Sequence, residues 1–153
     1  MARVLRRVVV DTGPIVSVLL GEPAAAEVSS ALEGRDCGVS VVNVAEVLDV
    51  LIRVHRAPVD DVSEALGRFL ADVARPIPAT RMLSQHAALI RARHYHRRDR
   101  DVSLADCFAI AAALPDADIA TSDTAIAHVA KAEGIEVIPL PNARGRRPKP
   151  DRS

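Results

Sequence analysis

The 153-residue chain has almost no aromatic side chains: Phe69, Tyr95 and Phe108 are the whole set, and there is no tryptophan. Its core must be aliphatic, and a platform of rings for stacking single-stranded bases is nearly excluded. Lysine is almost missing too, present only at Lys131 and Lys149. The two cysteines, Cys37 and Cys107, stand among apolar neighbours and without zinc spacing, so they read as reduced core residues. Net charge is zero, from 20 basic and 20 acidic residues, so global charge makes no case for a polyanionic partner. Long hydrophobic runs are absent: the longest, Cys107–Leu114, has eight residues, against roughly 20 for a membrane span. The apolar run behind Arg3, Arg6 and Arg7 stops at Asp11, too soon for a signal peptide. A soluble cytoplasmic protein with no membrane partner is expected. Neither G-x-S-x-G nor G-x-x-x-x-G-K-[ST] occurs, which leaves serine-hydrolase and P-loop chemistry without their motifs.

What is present is a regular alternation of elements. Hydrophobic residues make up 49% of the chain, enough for one globular domain. Strands are expected at 3–10, 37–42, 117–121 and 135–139, rich in Val and Ile without polar alternation. The segment 75–79, "RPIPA", holds two prolines and reads as an edge strand or no strand. Helices fit 14–20, 23–33, 43–55, 58–73, 80–97, 103–114 and 123–133, several closed by glycine. That pattern predicts an α/β domain over 1–140, with a mostly parallel sheet between helical layers. The remainder, 141–153, is rich in Pro, Arg, Gly and Lys and is expected to be a basic tail with little order.

Four acids fall at the joints of this pattern. Asp11 ends the first strand, Glu46 follows the second in "NVAE", Asp106 lies in "SLAD" and Asp123 ends "ADIATSD". Taken singly, each has a local explanation. "NVAE" and "SLAD" resemble capping boxes, Asp123 is a good N-cap, and Asp11 opens a turn. Together they say more. In a parallel α/β sheet, strand ends and following helix starts share one edge, where ligands bind. Four carboxylates converging there repel. Two like charges at ~4 Å cost about 1 kcal/mol in water and about 4 kcal/mol at an effective dielectric near 20. A hard divalent cation such as Mg²⁺ or Mn²⁺ relieves that repulsion and suits oxygen ligands. Such a pocket suggests hydrolysis of a phosphodiester.

The stretches "VVVDTGPIVSVL", "VSVVNVAEVL", "VSLADCFAIAAAL" and "IATSDTAI" together resemble the PIN-domain nucleases, most closely VapC-type toxins of type II toxin–antitoxin pairs. The resemblance spans about residues 4–140. It implies a three-layer α/β/α fold on a five-stranded sheet and a metal-dependent endoribonuclease. It also implies Asp11 and Asp106 as the main metal ligands. Asp123 and Glu46 would bind directly or through water, with Thr12 and Thr121 orienting an acid or a water. A homodimer and a small cognate antitoxin are the implied partners, with RNA as substrate.

Local charge adds one candidate. Residues 91–100, "RARHYHRRDR", hold five arginines and two histidines against one acid. Arg93, Arg97, Arg98 and Arg100 are candidate contacts to the RNA backbone. A solvated surface, the dimer face or the antitoxin face explains the same arginines, and the sequence leaves these open. His94 and His96 face different sides of a helix and make a poor metal pair. A phosphoaspartate site lacks its lysine. A non-catalytic RNA- or protein-binding module on the same fold, with the acids as caps, remains the alternative.

Overall fold

The computed structural model describes residues 6–150. In chain order the elements are β1 (Val8–Val10), α1 (Thr12–Leu20), α2 (Ala25–Leu32), β2 (Cys37–Ser40) and α3 (Val41–Asp49). A π-helical turn (Val50–Val54) follows, then α4 (Val59–Asp72), β3 (Ala74–Ile77) and α5 (Arg81–His94). The chain continues through α6 (Leu104–Ala113), β4 (Asp118–Thr121), α7 (Thr124–Ala132) and β5 (Val137–Pro139). The five strands pair in the order β3-β2-β1-β4-β5, all parallel. The expected α/β/α architecture is therefore present, with an entirely parallel sheet.

Strand periodicity builds the layers. In β1, Val8 and Val10 join one apolar cluster with Ile15, Val28, Val39, Leu51, Leu66 and Phe69. Val9, pointing the other way, joins a second cluster with Ile90, Cys107, Ile110, Ile119 and Val129. Side chains alternate across a strand, so three consecutive valines serve two cores. That is why the strand reads as an unbroken hydrophobic run. Both cysteines are buried and free. Cys37 and Cys107 serve as small apolar core residues.

Proline decides the edge. Pro76 lies in β3, whose single strand neighbour is β2. A residue without an N–H is tolerated there because the outer side needs no partner. Glycine decides a close approach in β2: a Cβ at position 38 would stand 2.7 Å from Ile77 Cδ1. Gly21 ends α1 with φ at 63°, its N–H donating to the Val18 carbonyl while Glu22 N–H donates to that of Ser17. This is a Schellman closure, which a left-handed residue makes possible.

Most element ends shift by a residue or two from the sequence reading, and β1 starts at Val8, leaving Arg6 and Arg7 outside it. Helix α3 begins at Val41 instead of residue 43, taking two residues expected in the second strand, with Ser40 Oγ accepting from Val42 N–H at 3.2 Å. It widens into the π turn after Asp49. The helix expected over 80–97 stops at His94, and His96 and Arg100 close a small turn through paired backbone hydrogen bonds. Positions 3–5 of the first expected strand, like residues 151–153, lie outside the described residues.

The chain runs β1, β2, β3 outward on one side, then returns to lay β4 and β5 on the other. The order therefore reverses at β1. A crevice opens at such a switch point, beyond the carboxyl ends of the central strands. Residues 141–150 follow β5 without helix or strand. Arg147 donates to the Pro139 carbonyl and pairs with Glu27, and Lys149 N–H donates to Thr124 Oγ1.

Candidate metal centre

The crevice at the switch point is a cleft of about 300 Å³ lined by Asp11, Glu46, Asp106 and Asp123 together with Thr12, Gly13, Ser122 and Asn142. All four acids singled out in the sequence thus reach one space. They come from four separate parts of the chain. Asp11 follows β1, Glu46 lies in α3, Asp106 opens α6 and Asp123 precedes α7. The turns after β1 and β4 are pressed together, since a Cβ on Gly13 would stand 3.0 Å from Ser122 Oγ.

Asp11 is the buried member, 3% exposed. It occupies the N-cap position of α1, yet its side chain caps nothing. One oxygen, Oδ2, accepts from Thr121 Oγ1 at 2.9 Å. The other, Oδ1, is buried without any partner. Burial pushes the Asp11 carboxyl up to about 7, and the charge of Asp106 adds to the rise; polar groups of Thr12 and Thr121 act against it. An orphaned buried oxygen on a carboxylate costs about 1–3 kcal/mol or more. Tertiary structure, not a local cap, holds it there.

Asp106 is held in another way. Its Oδ2 accepts from Ser103 N–H at 2.7 Å, and its own N–H donates to Ser103 Oγ at 3.0 Å. The capping box read from "SLAD" is real. Even so, burial pushes the Asp106 carboxyl up to about 6, against the pull of the Ser103 hydrogen bonds and with the charges of Glu46 and Asp123 adding to the rise. Asp123 is also a true cap: its Oδ1 accepts from Ile126 N–H at 3.0 Å. Glu46 is not. Because α3 starts at Val41, Glu46 falls in its second turn and "NVAE" forms no capping box. It projects into the cleft from the helix body.

A small polar frame stands under these acids. Thr121, fully buried, donates to Asp11 and accepts from Asp123 N–H at 3.0 Å, so one hydroxyl ties two of the acids together. Thr12 Oγ1 accepts from Asn43 Nδ2 at 3.1 Å, and the same amide nitrogen reaches the Ala105 carbonyl at 3.3 Å. Asn43 is fully buried, and its Oδ1 has no partner. It therefore joins the loop after β1 to the start of α6. The sequence reading treated Asn43 as a helix start and missed this role. A signal was available: Asn43 precedes Val47 by four residues, on a helix face that is otherwise apolar.

The donor set is carboxylate and hydroxyl oxygen, which suits a hard divalent cation. The unpartnered Oδ1 of Asp11 also fits one. Among the described residues, however, no three His, Cys, Asp or Glu side chains are already gathered closely enough to cage a metal. The acids line the cleft rather than clamp its centre.

The arginines of 91–100 fall elsewhere. None of Arg93, Arg97, Arg98 and Arg100 lines the cleft. Arg93 pairs with Glu133 at 2.6 Å, and His94 meets the same carboxylate at 2.7 Å. Arg100 approaches His94 Nδ1 at 3.4 Å, and Arg91 stacks 4.5 Å over the Tyr95 ring. Arg97 and Arg98 have no side-chain partner among the described residues and are exposed.

Similarity to solved structures follows the fold. VapBC2 of Rickettsia felis, bound to a DNA fragment from its promoter, aligns with a TM-score of 0.63 at 13% identity, covering 88% of this chain and 98% of that one. VapC20 of Mycobacterium tuberculosis, a sarcin–ricin loop cleaving toxin, aligns at 0.57 and 22% identity over 69% and 80%. A toxin–antitoxin complex from Klebsiella pneumoniae aligns at 0.59 and 16% over 78% and 89%. No curated protein matches the sequence. The sequence does match the PIN domain across residues 8–140, from β1 through β5, and the chain belongs to the PIN-domain family.

Proposed function

We propose that this protein is a metal-dependent endoribonuclease, the toxin of a type II toxin–antitoxin pair, acting in the cytoplasm. One observation carries the reading. Four acids from distant parts of the chain line one cleft at the sheet's switch point, and the most buried of them keeps an unpartnered oxygen. Asp11 and Asp106 would hold the cation, Mg²⁺ or Mn²⁺, with Glu46 and Asp123 directly or through water. When bound, it supplies charge neutralisation and an activated water for attack on a phosphodiester. Thr121 fixes the orientation of Asp11, and Ser103 that of Asp106. Thr12 and Asn43 brace the loop that carries Asp11. Arg97 and Arg98, exposed and unpaired, remain the members of the 91–100 segment free to meet RNA backbone.

The toxin reading takes its lead from the neighbours in fold, which include a toxin–antitoxin complex and a toxin that cleaves the sarcin–ricin loop. A small antitoxin and a second copy of the chain are the partners it implies. Met82 and Leu89 on α5 and Leu104 on α6 leave apolar surface exposed, and we assign this face to the second copy. A monomer mass by light scattering would remove that assignment. Among the described residues no helix is long and apolar enough to cross a membrane.

The non-catalytic alternative draws on the caps at Asp106 and Asp123, which are locally satisfied, and on the lack of a ready metal cage. RNA cleavage with and without Mg²⁺ or Mn²⁺ separates the two, comparing the parent chain with Asp11→Asn. Cleavage that needs the cation and vanishes in the variant supports the nuclease. Equal behaviour of both proteins supports the binding module.

A further inference from the structure

A polyanion approaching four carboxylates needs cations close by, yet none of the residues lining the cleft is Lys or Arg. The turn beyond β5 supplies them. Asn142 lines the carboxylate cleft, and with Ala143 it also lines the adjoining hollow beside Thr12, Ser17 and Ser122. From Asn142 the chain makes a closed loop. The Asn142 side-chain Oδ1 accepts from Arg144 N–H at 2.9 Å and from Arg146 N–H at 3.0 Å. Asn142 N–H donates to the Arg146 carbonyl at 2.9 Å, and Gly145 N–H donates to the Asn142 carbonyl at 2.8 Å. Gly145 has φ at 73°, the left-handed conformation that a side chain would strain.

Three hydrogen bonds thus tie the backbone of Arg144 and Arg146 to a residue on the cleft rim, and a fourth ties Gly145 between them. Both side chains are exposed, and neither has a side-chain partner among the described residues. Arg147, next along, is spent on Glu27 and the Pro139 carbonyl, which anchors the far end of the loop. Arg93 differs in that Glu133 already engages its guanidinium.

We infer that the 142–146 loop is a phosphate-binding edge of the cleft, with Arg144 and Arg146 holding RNA phosphates that flank the cut bond. This rests on the nuclease reading and assigns part of its substrate-binding surface to a segment whose composition suggested only a tail. Arginine suits the task, because its planar fork meets a phosphate through two hydrogen bonds. Pinning the loop in advance lowers the entropy lost when RNA binds.

The test uses full-length protein carrying Asp11→Asn, so that RNA stays intact, and a short labelled single-stranded RNA titrated over a salt series. Each phosphate contact on a single strand contributes about 0.7 to the slope of log affinity against log salt. Replacing both Arg144 and Arg146 by Ala is expected to lower that slope by about 1.4. The affinity lead of the arginine form then shrinks about sevenfold between roughly 50 and 200 mM salt. The Arg144→Lys, Arg146→Lys pair is expected to keep most of the slope. In the active protein the double Ala variant raises KM more than it lowers kcat. Unchanged slope and affinity overturn the loop's role while leaving the nuclease reading intact. Loss of affinity at unchanged slope also overturns it, since the effect is then not phosphate contact. If the Asp11→Asn protein and the parent neither bind nor cleave RNA, the nuclease reading falls and takes the loop with it.

Discussion

Asp11 and Asp106 line the same cleft and are held in opposite ways. Asp106 would be at home in any helix start: Ser103 satisfies it, and the box stabilises α6 whether or not anything enters the cleft. Asp11 has no such local account. It is buried, caps nothing, and leaves one oxygen bare. A carboxylate that folding alone would not favour is the better indicator of chemistry than one that folding rewards. The metal argument therefore rests on Asp11 more than on the number of acids.

The largest test of this contrast is catalytic. Asp11→Asn and Asp106→Asn are each expected to reduce metal-dependent RNA cleavage by more than ~100-fold, since losing a direct ligand costs more than losing its support. If Asp106→Asn stays near parental activity, Asp106 is a cap and nothing else. Next comes Thr121→Val, which removes the hydroxyl that donates to Asp11 and accepts from Asp123 N–H while keeping shape. Cleavage is expected to drop about 10–100-fold and to need a higher metal concentration, as for other groups that orient ligands. Parental metal affinity in that variant would show that Thr121 only fills space.

Stability supplies a third test. The Asp11 and Asp106 carboxyls are pushed up to about 7 and about 6, above their values in the unfolded chain near 4. The folded protein then holds more protons than the unfolded one across that window, so stability of the metal-free form falls as pH rises from about 4 to above 7. Asp11→Asn is expected to raise the metal-free Tm by several degrees at pH 8 and hardly at pH 4. Mg²⁺ should raise the parent's Tm at pH 8 and do so less in the variant. A flat Tm–pH profile in the parent would show that the cleft carries no such charge strain. The smallest effect belongs to the cap itself. Ser103→Ala is expected to cost about 1 kcal/mol, roughly 2–4 °C for a domain of this size, with cleavage changed only a few-fold.

The layers of the fold were legible because strand and helix periods differ, and because Val8–Val10 and Ile119 carry no polar residues that a one-sided sheet would need. Asp11, Asp106 and Asp123 were legible because each stands at a joint; Glu46 was read as standing at one too, but it lies in the second turn of α3. The site's support was not legible. Asn43 lies in a helix whose start depends on Ser40, so its neighbours are set by tertiary packing rather than by spacing. The edge position of β3 was one of two readings until its pairing with β2 was seen. Arginine density marked 91–100, but density says nothing of which guanidinium is already taken, as Glu133 takes that of Arg93. The cleft-side loop was hidden by its own composition. Pro, Gly and Arg look like a tail unless one knows that Asn142 closes the turn.

β1 occupies the centre of the sheet, yet one of its two neighbours is made late. Its register with β4 joins Val8 to Asp118 and Val10 to Ala120. During synthesis a ribosome releases Asp11 and Glu46 long before Asp106, Thr121 and Asp123. Until β4 arrives, Asp11 lacks the hydroxyl that orients it, and the cleft has only half its wall. The oxygens of the cleft therefore stand together only once β4 and the start of α7 are in place, so the order of the chain makes the site one of the last parts of the domain to be completed.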